Sequence, residues 1–427
     1  MSALPPFASS SRYSEPQALD IPLEAGGAHS IPDEKGSSNR SEQELVARAQ
    51  TFSDFPDGGL QAWLQVIGSF FLVFVAWGTF NTFGAFQTYY EEELLVGTSA
   101  STISWIGSID GFMVMIFGTL SGPIFDKGHF RALIAIGSFF TVFGLMMTSL
   151  STSFYQIFWA VRALAVGIAL CGSSLAGIIY PAIFRQLQPQ IGFPWTVRVI
   201  GFVTLGVLAF SLAVMRPRFT SRTSRALLDP SAFTDAPYML FCVGNFLSFM
   251  GAYIPYFYIT AFAQAHTGAN TSLSFYTIAI LNGVSVIGRI IPNFIADNVG
   301  PLNIITPCAM VTAILAFCWI PADSVGGLIV FICLYALSSG ALLSLTPASI
   351  GSLTQDIGRV GTRLGMSLGM ASFGLLIGNP VAGALVNLRA GSFVHAQIYN
   401  GAIVIGAGIF MALARVSKVG WSLRVKA

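Results

Sequence analysis

The stretch Val284–Pro301 reads VSVIGRIIPNFIADNVGP. Its first half ends an apolar run that begins near Leu273 and is long enough to cross a bilayer, and Arg289 lies inside that run. An arginine at such a depth costs at least about 2.5 kcal/mol and persists mainly where it faces a partner or a watery cavity. The second half, from Asp297 onwards, is a tight polar turn. The stretch therefore predicts a transmembrane helix with a functional arginine and a short return loop.

A second stretch, Gly122–Arg131, reads GPIFDKGHFR and shows the same order of features. An apolar run ends at Asp126, a glycine follows two residues later, and the chain re-enters an apolar run almost at once. Because this arrangement occurs twice, we expect a chain made of two similar halves.

The composition predicts a membrane protein. Of the 427 residues, 54% are hydrophobic and only 9% are charged, and the mean hydropathy is +0.71. Soluble proteins carry about 25% charged residues. Apolar runs recur from Ala62 to the C-terminus, and about 20 apolar residues cross a bilayer as a helix. We therefore expect an all-α, polytopic membrane protein in contact with a lipid bilayer.

Several other classes are not supported by the sequence. The net charge of +2 gives no indication of nucleic-acid binding, and no Gly-x-x-x-x-Gly-Lys-[Ser/Thr] phosphate loop is present. The five cysteines lie in apolar runs without a Cys-x-x-Cys pair, and the four histidines are scattered, so neither set predicts a disulfide or a metal site. The spans offer no nucleophile with a base. We expect no enzyme activity and no cofactor.

The first half follows a polar segment. Residues 1–55 are rich in Ser, Pro, Glu and Asp and lack an apolar signal-peptide core, which predicts a disordered cytosolic tail. The first bundle covers residues 56–214, with five predicted spans: Gly59–Tyr89, Ile103–Phe125, Leu133–Leu150, Ala163–Phe184 and Pro194–Val214. A linker of residues 215–236 follows, and its four arginines place it in the cytosol.

The second bundle covers residues 237–418 and ends in a basic cytosolic tail, residues 419–427. Its six predicted spans are Pro237–Ala263, Leu273–Ala296, Leu302–Pro321, Val325–Ile350, Leu364–Val386 and His395–Val416.

The predicted spans conflict with the loop charges. The loops at Asp126–Arg131 and Arg216–Arg225 are both basic, so both should be cytosolic and an even number of crossings should separate them. Only three predicted spans lie between them. The positive-inside argument therefore fails by one span.

The internal repeat indicates where the missing span belongs. A span opened by Arg363 carries Gly369 and Gly374 and is fifth of six, whereas the corresponding span opened by Arg162, with Gly167 and Gly172, is fourth of five. We infer that about one helix and its loop, roughly 25–30 residues, are absent after Ala160, leaving about 11 spans where the repeat predicts 12. The alternative is one long tilted helix across residues 154–184 and a working eleven-span topology.

These motifs resemble those of a known family. Gly122…Asp126-Lys127-Gly128…Arg131 resembles the loop signature of the major facilitator superfamily. Asp57-Gly58-Gly59…Trp63, and the span opening at Arg162, resemble its monocarboxylate-porter branch, most closely the fungal members. The resemblance covers about residues 55–418. It implies two pseudo-symmetric helix bundles that move a small organic solute between them by alternating access.

The chain departs from the lactate-type members of that branch. Those members use a lysine late in the first helix, and this run has none; they also use an aspartate where this chain has Ser285. Only Arg289 matches, so the resemblance does not support lactate uptake. Fungal relatives of this type carry other cargo, including riboflavin or secreted secondary metabolites. Uptake and efflux both stay open, as does a carboxylate-like cargo.

Few polar residues lie deep in the spans. We predict that Arg289 contacts an anionic or carbonyl group of the cargo, or else pairs structurally with a carbonyl or with Asp110. The buried Asp110 is a candidate proton-coupling acid, or else a satisfied contact between helices. The same choice between cargo and helix contact applies to the remaining predicted site residues, Asn81, Asn282 and Asn379.

The two polar turns predict gates. Asp126, Lys127, Arg131 and Asp297 are expected to close the cytosolic face rather than to contact cargo. The partners implied are a small-molecule solute, the bilayer and a coupled proton. We expect the plasma membrane as the location, with the vacuolar membrane as the alternative. The competing functions are a non-transporting or receptor-like membrane protein, and the inactive product of a truncated gene.

Overall fold

The computed structural model describes residues 59–158, 173–215, 226–268, 271–387, 391–421 and 425. Some predicted features lie outside these residues: the tail 1–55, Asp57-Gly58, the first ten residues of the Ala163–Phe184 span with Arg162, and the arginine-rich loop 216–225. In the described part the chain is helical, and its single β-bridge joins Asn387 to Ser392. The predicted all-α fold class is confirmed.

Among the described residues, the first half contains four α-helices and the second half contains eight. Those of the first half are α1 (Leu60–Tyr89), α2 (Ala100–Asp126), α3 (Phe130–Leu150) and α4 (Ser173–Val214). Those of the second half are α5 (Ala236–Gly251), α6 (Ile254–His266), α7 (Thr271–Val299), α8 (Pro301–Cys318), α9 (Val325–Ser344), α10 (Thr346–Leu353), α11 (Ile357–Leu385) and α12 (Val394–Val419).

Ten helical runs within the described residues are long and apolar enough to cross a membrane. Three runs contain a local break. α5 and α6 form one run, as do α9 and α10, and α4 bends at Gly192, whose φ of 75° is not helical. The breaks after α5 and α9 lie just before Pro255 and Pro347, because proline cannot donate the next helical hydrogen bond. If α4 counts as two crossings, the described residues hold eleven.

The helices alternate in direction, so the bundle has two ends. α2 runs from Ala100 to Asp126, and we name the two ends after Asp126 and after Tyr89, the last residue of α1. Gln65 near the start of α1 donates to the carbonyl oxygen of Val214 at 2.9 Å, which places the end of α4 at the Asp126 end. Tyr89 stacks on Phe193 at 5.1 Å, which places the bend of α4 at the Tyr89 end.

The two predicted polar turns are tight. Gly128 follows α2 with φ of 87°, and Gly300 follows α7 with φ of 102°, a left-handed region that other residues rarely adopt. α3 then begins at Phe130 and α8 at Pro301, the first helical position that proline favours. The two copies therefore share a helix, a left-handed glycine and a fast return.

The junction that the sequence marked as shortened is only partly described. Residues 154–158 form a short helical segment after α3, and α4 begins at Ser173. Ala176 of α4 packs against Gly78, near the middle of α1. Phe184 lies 5.5 Å from Tyr89, so the part of α4 before its bend runs alongside the half of α1 that leads to Tyr89.

α11 starts earlier than predicted. It begins at Ile357 instead of Leu364, because the Asp356 side chain accepts a hydrogen bond of 2.9 Å from the Gly358 amide and caps the helix. The extra turns bring Arg359 and Arg363 into regular helical positions at the Asp126 end.

Candidate functional site

Aromatic rings close the space between the halves. Phe80 of α1 lies 4.8 Å from Tyr253, and Phe83 lies 5.0 Å from Phe257 of α6. Trp77, one turn before Phe80, is stacked with Tyr253 at 6.4 Å and 12°. These contacts join the first half to the second near the bundle centre and towards the Tyr89 end.

The backbones also meet at the Tyr89 end. Gly84 of α1 faces the carbonyl oxygen of Tyr256 so closely that an added Cβ atom would overlap it. On the other side of the bundle, the Ser101 hydroxyl of α2 donates to the carbonyl oxygen of Pro380 in α11 at 2.8 Å. The Tyr89 end is therefore closed by direct contact between the halves.

Arg289 lies beside this aromatic closure. It is half-buried on α7, and its guanidinium lies within electrostatic range of the phenol groups of Tyr253 and Tyr256. The hydroxyls of Ser285 and Ser339 lie near the phenol oxygen of Tyr256. A cation beside two phenols and an aromatic wall forms a suitable subsite for an acidic or carbonyl group on an apolar body.

Asp110 has different surroundings. Its side chain is 4% exposed on α2, and Thr79 of α1 is its hydrogen-bonding neighbour. Its Oδ1 atom is buried and has no hydrogen-bond donor among the described residues. The next residue, Gly111, packs against Phe80 and against Leu375 of α11. Asp110 thus lies one residue from a contact between the halves.

Asn282 and Asn81 meet across the halves. The Nδ2 atom of Asn282 lies 2.9 Å from the carbonyl oxygen of Ile278, 3.3 Å from that of Gly177 and 3.4 Å from that of Asn81. Both asparagines are buried. The amide donors of Asn282 are thus occupied by backbone groups of α1, α4 and α7, which favours the helix-contact interpretation for this residue.

Asn379 is placed differently from Asn282. Its backbone carbonyl accepts a hydrogen bond of 3.0 Å from the Tyr258 hydroxyl, but both polar atoms of its side chain are buried and have no hydrogen-bond partner among the described residues. A buried amide with open donor and acceptor capacity is suited to bind a solute or a water molecule. The prediction of cargo contact is therefore better supported for Asn379 than for Asn282.

The predicted gate residues cluster at the two turns of the Asp126 end. Asp126 is the last residue of α2 and is buried, whereas Lys127, Arg131 and Asp297 are exposed. An acid at the C-terminal end of a helix is opposed by the helix dipole, so the position of Asp126 suits a charge partner or a function better than a cap.

A charge cluster that the sequence reasoning missed lies at the same end. Arg363 of α11 is 7% exposed; its Nε atom lies 3.0 Å from Asp229 and its Nη1 atom 2.6 Å from Asp235. The ring of Tyr238 lies 5.2 Å below the guanidinium, and its hydroxyl donates to the Arg363 carbonyl oxygen at 2.7 Å. The cluster fixes the segment before α5 to the start of α11.

One acid of this cluster, Asp229, has its pKa shifted by its partners. The Ser231 hydroxyl and the Arg363 guanidinium lower the pKa of Asp229 below its usual range. Asp229 and Asp235 also accept from backbone amides at the starts of the 3₁₀ turn Pro230–Thr234 and of α5. The sequence held a usable signal, because Asp-Pro-Ser and Asp-Ala-Pro are typical starts of helical turns.

A cavity opens between the halves at the Asp126 end. It has a volume of about 130 Å³ and is bounded by Trp77 at its inner end and by α2 and α11 at its sides. A second cavity of about 400 Å³ adjoins it. No cluster of His, Cys, Asp and Glu suited to a metal ion occurs within the described ranges.

Two packed helix bundles, a closed end, a central arginine and a cavity at the other end define a membrane transporter of the alternating-access type. Solved structures show the same fold. A variant of the nucleoside transporter NupG matches with a TM-score of 0.64 at 14% identity, covering 85% of this chain and 100% of that one. The Escherichia coli fucose:proton symporter FucP matches with a TM-score of 0.58 at 13% identity, covering 83% and 98%.

Sequence relatives are closer. The MFS-type transporter dbaD of Emericella nidulans is 41% identical over 385 residues, covering 84% of this chain and 87% of the relative. The aspyridones efflux protein apdF of the same fungus is 36% identical, covering 85% and 79%. The agnestins efflux protein AgnL12 of Paecilomyces divaricatus is 34% identical, covering 86% and 90%. No protein-family model matches the chain.

The chain belongs to the MFS-type transporters of the major facilitator superfamily. The predicted function, a transporter of a small organic solute, is confirmed at this level, and the receptor-like alternative is not favoured.

Proposed function

We propose that this protein exports a small organic metabolite with an apolar, ring-containing body and one acidic or carbonyl group, and that Arg289 contacts that group. The single observation that carries the proposal is the position of Arg289 beside Tyr256 and beside Tyr253, the ring that stacks on Trp77. Two relatives are named for the efflux of aspyridones and agnestins, which favours efflux over uptake.

The conformation of the bundle is the one in which an exporter would take up its cargo from the cytosol. The Tyr89 end is closed by the Phe80–Tyr253 contact and by Gly84 against Tyr256, while the cavity lies at the Asp126 end. The basic loops predicted from the sequence assign the Asp126 end to the cytosol. A cavity on the cytosolic side and a closure on the far side are the arrangement that an exporter needs before it binds cargo.

Asp110 is the proposed proton-coupling group. A buried carboxyl beside a single neutral hydroxyl can take up and release a proton when the surrounding helices move. Gly111 touches both Phe80 and Leu375, so movement between the halves changes the surroundings of Asp110.

The proposal is tested with the whole chain in a yeast strain that lacks its own exporters. Cells are loaded with 1-pyrenebutyrate, a fluorescent acid with an aromatic body, and its loss is followed over time. We expect faster loss with the chain than with an empty vector, and abolition by dissipating the proton gradient. Equal loss with and without the chain, at verified plasma-membrane expression, would count against export of this class.

We further propose that the chain is a shortened member of the monocarboxylate-porter-like branch and lacks its fourth helix. The alignment with dbaD is 385 positions long but covers 84% of the 427 residues of this chain, or about 359. About 26 aligned positions of dbaD therefore have no counterpart here. That number is close to one helix of roughly 20 residues and a loop. The AgnL12 comparison, 395 residues at 86% of this chain, gives about 28 such positions, again near one helix of roughly 20 residues.

Two measurements test this shortened form. Amplification across the codons for Ala160 and Val161 from the source transcript should yield a longer product with about 25–30 additional codons, enough for one helix. A chain with that segment restored should reach the plasma membrane and export solute better than the short chain. A transcript that reads straight through in all copies, with full activity of the short chain, would show that eleven spans suffice.

A further inference from the structure

Two cavities at the Asp126 end share a wall. The first, about 130 Å³ in volume, reaches inward to Trp77, and we call it the central cavity. The second, about 400 Å³, lies outside it, between α2, the start of α5 and α11, and we call it the side cavity. Both are lined by Thr119, Leu227 and Gly365.

The shared wall contains a polar contact between α2 and α11. The Thr119 hydroxyl of α2 lies 3.1 Å from the carbonyl oxygen of Gly365 in α11 and 3.0 Å from that of Met115 in its own helix, and it shares its one proton between these two acceptors. Gly365 presents no side chain, and an added Cβ would lie 3.0 Å from the Thr119 methyl carbon. A small separation of α2 from α11 at this point would join the two cavities.

The rim of the side cavity is apolar and exposed. Leu120 is 45% exposed, Leu228 63% and Phe233 60%. Phe233 lies on the 3₁₀ turn just before α5, where an aromatic side chain suits the boundary between lipid and water. Exposed apolar side chains beside a membrane-spanning helix indicate that the mouth faces the bilayer rather than the aqueous phase.

The inner wall is adaptable. Met239, Met366 and Met370 line the side cavity, and none of them lines the central cavity. Methionine side chains are flexible and polarisable, so they accommodate apolar bodies of different shape. Such a wall suits passage of varied amphiphiles better than tight binding of one of them.

We propose that the side cavity is a lateral entry site, through which cargo passes from the bilayer leaflet at the Asp126 end into the central cavity. The cargo class is an amphiphile with an apolar, ring-containing body that partitions into lipid and a single acidic or carbonyl group that later meets Arg289. This inference rests on the proposed export function and adds the route by which that site is filled.

The test uses single cysteines in the full chain, with the five natural cysteines replaced by alanine. Met370→Cys places a thiol in the side cavity, and Met366→Cys serves as the second position if the first variant is not expressed. Ile314→Cys is the matched control, because Ile314 is 61% exposed on α8, away from both cavities. The probes are pyrenyl maleimide, which partitions into lipid, and a membrane-impermeant methanethiosulfonate bearing a sulfonate.

We expect pyrenyl maleimide to label Met370→Cys at least ten-fold faster than the charged reagent does, and 1-pyrenebutyrate to slow that labelling at least three-fold. Labelling of Ile314→Cys by the maleimide should not change with 1-pyrenebutyrate. Faster labelling by the charged reagent would show a water-filled opening and overturn the proposal, as would slow labelling by both reagents or a lack of protection.

The result is separable from the export test. If the protein exports 1-pyrenebutyrate but the probe does not protect Met370→Cys, the result supports the proposed export function and contradicts the lateral route. If 1-pyrenebutyrate protects Met370→Cys but the protein does not export it, the result supports the side cavity as a binding site and contradicts the proposed export function.

Discussion

The Nδ2 atom of Asn282 in α7 lies 3.4 Å from the carbonyl oxygen of Asn81 in α1, so two predicted cargo contacts touch each other across the halves. The same amide reaches the carbonyl oxygen of Gly177 in α4 at 3.3 Å. A residue bonded to three helices holds a given arrangement of the bundle, and this one belongs to the state in which the Tyr89 end is closed.

Replacement of Asn282 should therefore reduce stability more than cargo affinity. Hydrogen bonds between membrane helices contribute about 0.6 kcal/mol each on average, so loss of the two contacts to other helices in Asn282→Ala should lower the melting temperature in detergent by about 1–3 °C. The cargo concentration for half-maximal export should stay within about two-fold of the parent value. A large rise in that concentration with an unchanged melting temperature would identify Asn282 as a cargo contact instead.

Arg289 should behave in the opposite way. Arg289→Ala and Arg289→Lys should both abolish export while the protein still reaches the plasma membrane, because an ammonium lacks the planar fork of donors that a guanidinium offers. Surface biotinylation measures delivery, and loss of 1-pyrenebutyrate measures export. Phe294→Leu is the control on the same helix, because Phe294 is 71% exposed. Normal export by Arg289→Lys would contradict the proposed contact between Arg289 and the cargo.

Gly84 should control closure of the Tyr89 end. An added side chain at Gly84 would overlap the carbonyl oxygen of Tyr256, so Gly84→Val should hold the halves apart there and stop export. A cysteine introduced at Phe257 should then react faster with a charged thiol reagent added from outside. Gly206→Val is the control, since nothing lies within 4 Å of a Cβ atom at Gly206. Unchanged reactivity at position 257 would show that Gly84 does not set the closure.

The Asp229–Arg363 cluster should make stability depend on pH. The pKa of Asp229 is lowered in the folded protein, so its contribution is fully present above the unfolded value of about 3.9 and is lost as the pH falls through the lower folded value. Melting temperatures in detergent at neutral pH and at pH 5, 4 and 3 should fall mainly below pH 4. Asp229→Asn should melt lower at neutral pH and lose part of that acid dependence.

Asp323→Asn is the control for this acid effect, because the Asp323 side chain is 71% exposed and its one ion-pair contact among the described residues, 3.6 Å from His266, lies at the Tyr89 end, away from the cluster. A parallel acid dependence in the parent and in Asp229→Asn would show that other carboxyl groups dominate acid unfolding.

The sequence predicted the fold more completely than it predicted the roles of the site residues. Period, length and glycine placement predicted α2, α7 and the turns at Gly128 and Gly300, since these follow from local chemistry alone. The break at Ala252–Tyr253 depends on one proline, and the early start of α11 depends on one capping aspartate. Such single residues are hard to recognise within or beside a long apolar run.

Site residues were harder to assign because one residue type serves two purposes in a membrane. Asn282 and Asn379 look alike in sequence, yet the Nδ2 atom of Asn282 lies near carbonyl oxygens of α1, α4 and its own helix, and only its Oδ1 atom lacks a partner among the described residues. For Asn379, neither polar side-chain atom has a partner among the described residues. The Arg363 cluster depends on the fold of the segment before α5, so no spacing in the chain marks Asp229 as its partner.

Asp110 should link export to the proton gradient. Its carboxyl is buried beside Thr79, and the adjacent Gly111 touches both halves, so each change of state should alter how readily Asp110 holds a proton. Asp110→Asn cannot release a proton, and its export should become insensitive to an imposed pH gradient, while probe exchange down its own gradient persists. Thr79→Val, which removes only the hydroxyl neighbour, should keep gradient dependence but shift its pH midpoint. If Asp110→Asn responds to the gradient as the parent does, the coupling proton is carried elsewhere and Asp110 is a contact between helices.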